Sequence, residues 1–235
     1  MGFNPQNFFD SLISAMAYLP RTLELTGIPI LLGIILGLFI AVSRVYRIPL
    51  LGKIGAVFVM VYQGLPTVVA LLLFNLLFMV KFNEVSQFLH LGLTVSNVDT
   101  IWIGIMVLSL QGAANMSEVF RGAFYAIERG QYEAASSVGL TTCQALRRII
   151  LPQMLPVALP ALTNNIVGLI KNSSIVVAIG ITEVLGGASI PASKTYSFLE
   201  SYIAAALIYW VLTALAEYIL QRMERRGHKY RRQLT

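Results

Sequence analysis

Residues 128–152 read ERGQYEAASSVGLTTCQALRRIILP, a polar stretch bounded on both sides by long apolar segments. Glu133, Ala134 and Ala135 are good helix formers, and Gly139 interrupts the pattern they begin. Thr141, with Gln144 three residues on, reads as a capping box that opens a second short helix. Arg147 and Arg148 fall near its end, where cations suit the helix dipole, and Pro152 is expected to stop it. The stretch therefore predicts helix, glycine turn, helix, presented to water at the foot of a membrane bundle.

Composition supplies the bundle. Charged residues make up 12% of the chain, against roughly a quarter in soluble proteins. Hydrophobic residues make up 57%, and the mean hydropathy is +0.74. A 235-residue chain of this balance reads as one polytopic membrane domain. Residues 1–19 lack the basic n-region of a cleavable signal, and position 6 lacks the Ser or Thr that follows a myristoylated glycine. Cys143 is the single cysteine, so no internal disulfide is available, and it reads as a small apolar residue.

The net charge of +6 is placed in a way that argues against nucleic acid. Arg44, Arg47 and Lys53 lie between the first two apolar segments, and Arg121, Arg129, Arg147 and Arg148 lie in or beside the central stretch. The tail over 222–235 holds a further basic cluster, while the alternate loops hold only Arg21, Lys81 and Lys194. This alternation is the positive-inside pattern, which puts the central loop and C-terminus in the cytoplasm and the N-terminus outside. The tail is then an orientation signal in contact with lipid headgroups.

Five spans are expected, over about 22–43, 56–80, 101–125, 159–181 and 202–223, each long enough for a hydrocarbon core. Residues 1–21 are expected outside, lying at the interface or packed against neighbouring spans. Gly33 and Gly37 in the first span permit close helix approach. Pro66 is expected to kink the second span, and residues 81–100 to form an external loop in which His90 is solvated. Residues 183–197 read as a second external loop, with room for a short re-entrant or interfacial helix. The Tyr209–Trp210 pair reads as packing.

Polar residues inside spans are costly and mark bundle interiors or water-filled paths. Asn75 in the second span either bridges helices or meets substrate. Gln111, Asn115 and Glu118 share one face of the third span, the last pairing with Arg121 as a structural element and the first two lining a path. The fourth span carries Asn164, Asn165, Lys171 and Asn172. Lys171 needs a partner: either an interhelical group such as Glu118, or the carboxylate of a substrate.

The order Glu133-Ala134-Ala135, Gly139, Ile149-x-Leu151-Pro152 resembles the EAA loop of ABC importer permeases. The lead-in Glu118-x-x-Arg121-Gly122 and Arg129-Gly130-Gln131 is similar to the polar amino acid branch of that family, and the likeness runs from about Thr22 to about Gln221. Gln63-Gly64-Leu65-Pro66 departs from it, with glutamine where arginine is common, which puts a salt bridge near the cytoplasmic side in question. Lys171-Asn172-Ser173-Ser174 looks like the family's Lys-Asp-Thr-Ser-like stretch.

The resemblance implies an all-α membrane protein, five transmembrane helices in a type I ABC importer-like bundle, in the bacterial cytoplasmic membrane. It implies a coupling loop (Glu133, Ala134, Ala135, Gly139, Leu151 and Pro152) docked on a cytoplasmic ATPase dimer, which alone uses ATP and Mg. It further implies a second permease subunit, same or paralogous, and an extracytoplasmic binding protein that meets residues 183–197 and delivers an L-amino acid.

No His-Glu-x-x-His, paired-carboxylate or Walker lysine motif is present, so neither a membrane enzyme nor an ATPase is expected, and no metal or cofactor is expected on this chain. An ion-coupled carrier or channel is the remaining alternative. Such carriers generally show internal repeats, and none is evident here.

Overall fold

The computed structural model describes residues 3–232, with side chains through Arg225. Met1, Gly2 and the tail's side chains from 226 onward lie outside the described residues, so most of the expected basic tail does too. The chain is a helical bundle with elements α1 (Pro5–Ala17), α2 (Leu19–Val45), α3 (Leu51–Gly64), α4 (Thr67–Phe88), α5 (Ile101–Tyr125), α6 (Arg129–Ser137), α7 (Thr142–Ala145), α8 (Leu151–Asn172), α9 (Val184–Thr195) and α10 (Phe198–Arg232). Among the described residues there is no strand. Helical segments Leu19–Val45, Thr67–Phe88, Ile101–Tyr125, Thr142–Ile179 and Phe198–Arg225 are long and apolar enough to cross a membrane.

At the centre is the α2–α5 pair, the most closely packed in the chain. α5 is the most buried span, consistent with its core position. A Cβ on Gly33 would lie 3.2 Å from the Gly112 carbonyl carbon, and one on Gly37 would lie 3.0 Å from the Ser117 nitrogen. Glycine on both helices lets the backbones meet, as small residues do between helices in lipid. Met116, Phe120, Phe124, Ile150, Met154 and Ile166 then form a core joining α5 to α8.

Three boundaries differ from the sequence expectation. The second apolar segment, read as one span over 56–80, is two helices, because Leu65 before Pro66 is extended (φ −101°, ψ 122°). A residue preceding proline is pushed out of the helical region, so the expected kink becomes a full break. Of the two, α4 alone is long and apolar enough to cross a membrane, and it continues through Phe88 and shortens the following loop.

The segment expected as a span over 159–181 begins earlier, because Pro152 does not stop the helix. Proline is tolerated in the first turn of a helix, and Pro152 stands there in α8. Just before it, residues Leu146–Ile150 form a π turn, in which the Leu151 N–H reaches the Leu146 carbonyl. The wider turn leaves room for the proline ring, and the chain passes from the 128–152 elbow into α8 without a break. α8 then tightens into a 3₁₀ segment, Ser173–Ile179, which ends at Gly180 with φ +81°.

Finally, α1 packs against α9 and α10. Ser14 donates to the Gly187 carbonyl at 2.7 Å, and the Asn4 N–H donates to Glu200 at 2.8 Å. A side chain at Gly187 would collide with the Tyr18 ring.

Candidate functional site

The 128–152 elbow is built from α6, a turn, α7 and the π turn. Its inner face is anchored: Ala135 is buried, and Ile127, Tyr132, Leu146, Ile149 and Leu151 pack against the Phe120–Ile150–Met154 core. Gln153 donates to Gln131 at 3.0 Å, tying the foot of α8 back to α6. The outer face presents Glu133, Ala134, Ser136, Ser137 and Val138, the last 74% exposed.

Gly139 closes α6 with φ +75°. The Leu140 N–H reaches the Ala135 carbonyl at 3.1 Å and the Gly139 N–H reaches Ser136 at 3.0 Å, the paired bonds of a Schellman cap. A Cβ there would meet nothing within 4 Å. Within this chain, glycine is therefore needed for the left-handed backbone rather than for space. The Thr141–Gln144 capping box is formed in both directions, at 2.9 Å and 3.3 Å. Cys143, expected as a small apolar residue, is exposed.

Tyr46 at the end of α2 lies beside Tyr132 of α6. Burial, then the neighbouring Tyr132, pushes the Tyr46 phenol up to about 12. Burial likewise raises Tyr132. This contact between the elbow and α2 is thus between neutral groups at physiological pH.

Ten residues before the elbow, on α5, Glu118 accepts Arg121 Nε at 2.8 Å and Nη2 at 2.6 Å on one oxygen. Its other oxygen accepts Arg44 from α2, a partner the sequence reading did not find. Lys171, offered as a partner for Glu118, makes no ion pair among the described residues and is exposed.

The other polar candidates are not joined into one site. Asn75 Oδ1 and Gln111 Oε1 are buried without a hydrogen-bond partner. Asn115 and Asn172 are half-buried, and Asn164 is exposed. Asn165 donates to the Ala161 carbonyl of its own helix at 2.9 Å. Asn164 and Lys171 face outward from the single chain, while Gln111 faces inward.

A second polar centre was missed. Glu183, in a segment read as an external loop, is fully buried. It accepts the Thr22 hydroxyl at 3.1 Å, the Leu185 N–H at 2.7 Å, and the Tyr209 hydroxyl. Tyr209 is therefore more than packing. The Val184 N–H donates to Thr22 Oγ1 at 3.1 Å, and Ser173 lies 3.5 Å from the Tyr209 oxygen. The available signal was a lone carboxylate following the apolar run Ile175–Ile181.

Residues 33–229 match the family described as binding-protein-dependent transport system inner membrane component. The chain belongs to this family. Among relatives of this permease is the L-cystine transport system permease protein TcyL of Bacillus subtilis, 33% identical over 94% of this chain and 90% of that one. Another is the histidine/lysine/arginine/ornithine transport system permease protein HisQ of Escherichia coli, 31% identical over 87% and 89%. A chain in the crystal structure of an amino acid ABC transporter with histidines superposes with TM-score 0.78 at 31% identity, covering 96% of this permease and 100% of that chain. The MetNI methionine ABC transporter, at TM-score 0.73 and 19% identity, shares the fold. The permease is thus a multi-pass membrane subunit of the polar amino acid ABC importer class, with the type I importer architecture.

Proposed function

We propose that this permease moves an L-amino acid, polar or charged, glutamine or cystine, inward across the cytoplasmic membrane. A binding protein outside delivers the substrate, and the 128–152 elbow couples the bundle to a separate cytoplasmic ATPase. ATP and Mg belong to that partner, and this chain contributes no catalytic group. What carries the reading is the elbow: an exposed acidic and apolar face on α6, anchored beneath, and continuous through the π turn with α8. Closure of two ATPase subunits, each gripping one elbow, would be passed along α8 as a rigid-body movement.

The N-terminus outside and C-terminus inside follow from the charge ledger. A second permease subunit, identical or paralogous, would cover the outward face that carries Asn164 and Lys171. Asn75, Gln111, Asn115, Asn164, Asn165, Lys171 and Asn172 are the proposed path residues. The open Asn75 and Gln111 oxygens support part of that assignment.

Uptake of labelled cystine, glutamine, arginine and histidine by cells expressing the whole transporter tests the proposal. One of these is taken up with the native chain, and Gly139→Asp abolishes its uptake while the protein still inserts. Normal uptake by Gly139→Asp would contradict the coupling role. Lys171→Met is expected to change affinity or rate, and unchanged uptake would remove Lys171 from the path.

A further inference from the structure

We propose that this permease holds one anionic phospholipid in a basic cup between α2, α3 and the end of α5, with an acyl chain along α3. The cup has a volume of about 450 Å³, and four cations line it: Arg44, Arg47, Lys53 and Arg121. Arg44 and Arg121 are committed to Glu118. Arg47 and Lys53 are exposed and make no ion pair among the described residues. Four cations thus share one carboxylate, and the excess is what an anionic headgroup would neutralise.

A second hollow, of about 420 Å³, begins at the shared Lys53 and runs past Ile54, Val57 and Phe58. These positions follow one face of α3, and Ile54 and Val57 are each 55% exposed. A cationic cup opening directly onto an apolar trough matches an amphiphile. A free phosphate would fill the cup and leave the trough bare.

The turn between α2 and α3 holds this shape. Leu50 has φ +65° and ψ −58°, and the Leu51 N–H reaches the Pro49 carbonyl at 2.8 Å, which is a γ-turn. Arg47 also has positive φ, at +51°. Two side-chain-bearing residues in conformations that favour glycine bring Arg47 and Lys53 to the same cup, and strain of this kind gathers at ligand sites. A Cβ on Gly52 would lie 2.9 Å from the Ser43 carbonyl oxygen, so the turn is pressed onto α2.

Placing the lipid in the cytoplasmic leaflet rests on the orientation proposed above, whereas the binding itself does not. The test is native mass spectrometry of the purified full chain in detergent, titrated with phosphatidylglycerol, phosphatidylcholine or inorganic phosphate. Phosphatidylglycerol is retained in preference to phosphatidylcholine, and millimolar phosphate does not displace it. Arg47→Gln with Lys53→Gln lowers its affinity by on the order of tenfold. Val57→Trp, which fills the trough and leaves every charge in place, also weakens it. Equal retention by native and double-variant protein, no preference between lipids, or displacement by phosphate would each overturn the proposal. Labelling of Cys143 by an impermeant maleimide from each side of sealed vesicles reads the orientation separately. Labelling from outside would refute the orientation and leave the lipid site standing in the other leaflet.

Discussion

Glu118 and Glu183 are both carboxylates drawn into an apolar bundle, and both grip α2, one near each end. Arg44, in the last turn of α2, holds Glu118, and Thr22, in its first turn, holds Glu183. At about 1.5 Å per residue the two attachment points lie about 33 Å apart. The solutions differ. Glu118 is half-buried and offset by two guanidinium groups, with Arg121 also resting over the Tyr125 ring at 5.6 Å. Glu183 is fully buried and receives only hydroxyls and a backbone N–H. The Glu118 clasp is a charge clasp that water can partly replace. The Glu183 clasp has nothing to replace its donors, so it is the more fragile of the two.

Substitution should separate them, most strongly at Glu183. Glu183→Leu strands the Tyr209 hydroxyl and the Leu185 N–H in a dry site, at about 1–3 kcal/mol for each unsatisfied group. Thermal unfolding of the purified chain in detergent should show a large loss, with Glu183→Gln retaining most of the stability because an acceptor remains. A Glu183→Leu chain as stable as the native one would remove the distinction between the two centres. Glu118→Gln should cost less, about 1–2 kcal/mol, because solvent reaches the two arginines it frees. Its effect should shrink in high salt, whereas the Glu183 effect should not. Tyr209→Phe, which removes a single donor, should cost about 1 kcal/mol in the same assay.

These two centres also show what can be read from a chain alone. The Glu118–Arg121 pair is readable because three residues bring both onto one helix face. Arg44 lies on another helix, and the close approach of α2 to α5 at Gly33 and Gly37 brings it within reach. Glu183 was hidden for the same reason, since Thr22 and Tyr209 come from α2 and α10. The capping box and Gly139 turn were readable because their geometry is local. Pro66 and Pro152 were only half readable. Proline signals a disturbance, but its neighbours decide between a break, as at Leu65, and a widened turn that continues, as at Leu146–Ile150.

The smallest expected effect concerns pH. The Tyr46 phenol, raised to about 12 in the fold, stays neutral where an unfolded tyrosine ionises near 10. Its contribution is therefore fully present below pH 10 and is lost as pH rises toward 12. Thermal unfolding should be flat from pH 6 to 9 as far as this group is concerned, and Tyr46→Phe should weaken the decline above 10. An identical decline in native and variant chains would show that the contact carries no pH dependence.

The central claim is that the 128–152 elbow is the handle by which an ATPase moves the bundle. The most direct measurement is affinity purification of the tagged permease from native membranes, run beside Glu133→Lys, with identification of every protein retained. The account predicts a soluble ATPase held by the native chain and lost with Glu133→Lys, both chains being recovered in equal amount. Absence of an ATPase from both preparations after mild crosslinking, or equal retention by both, would contradict it.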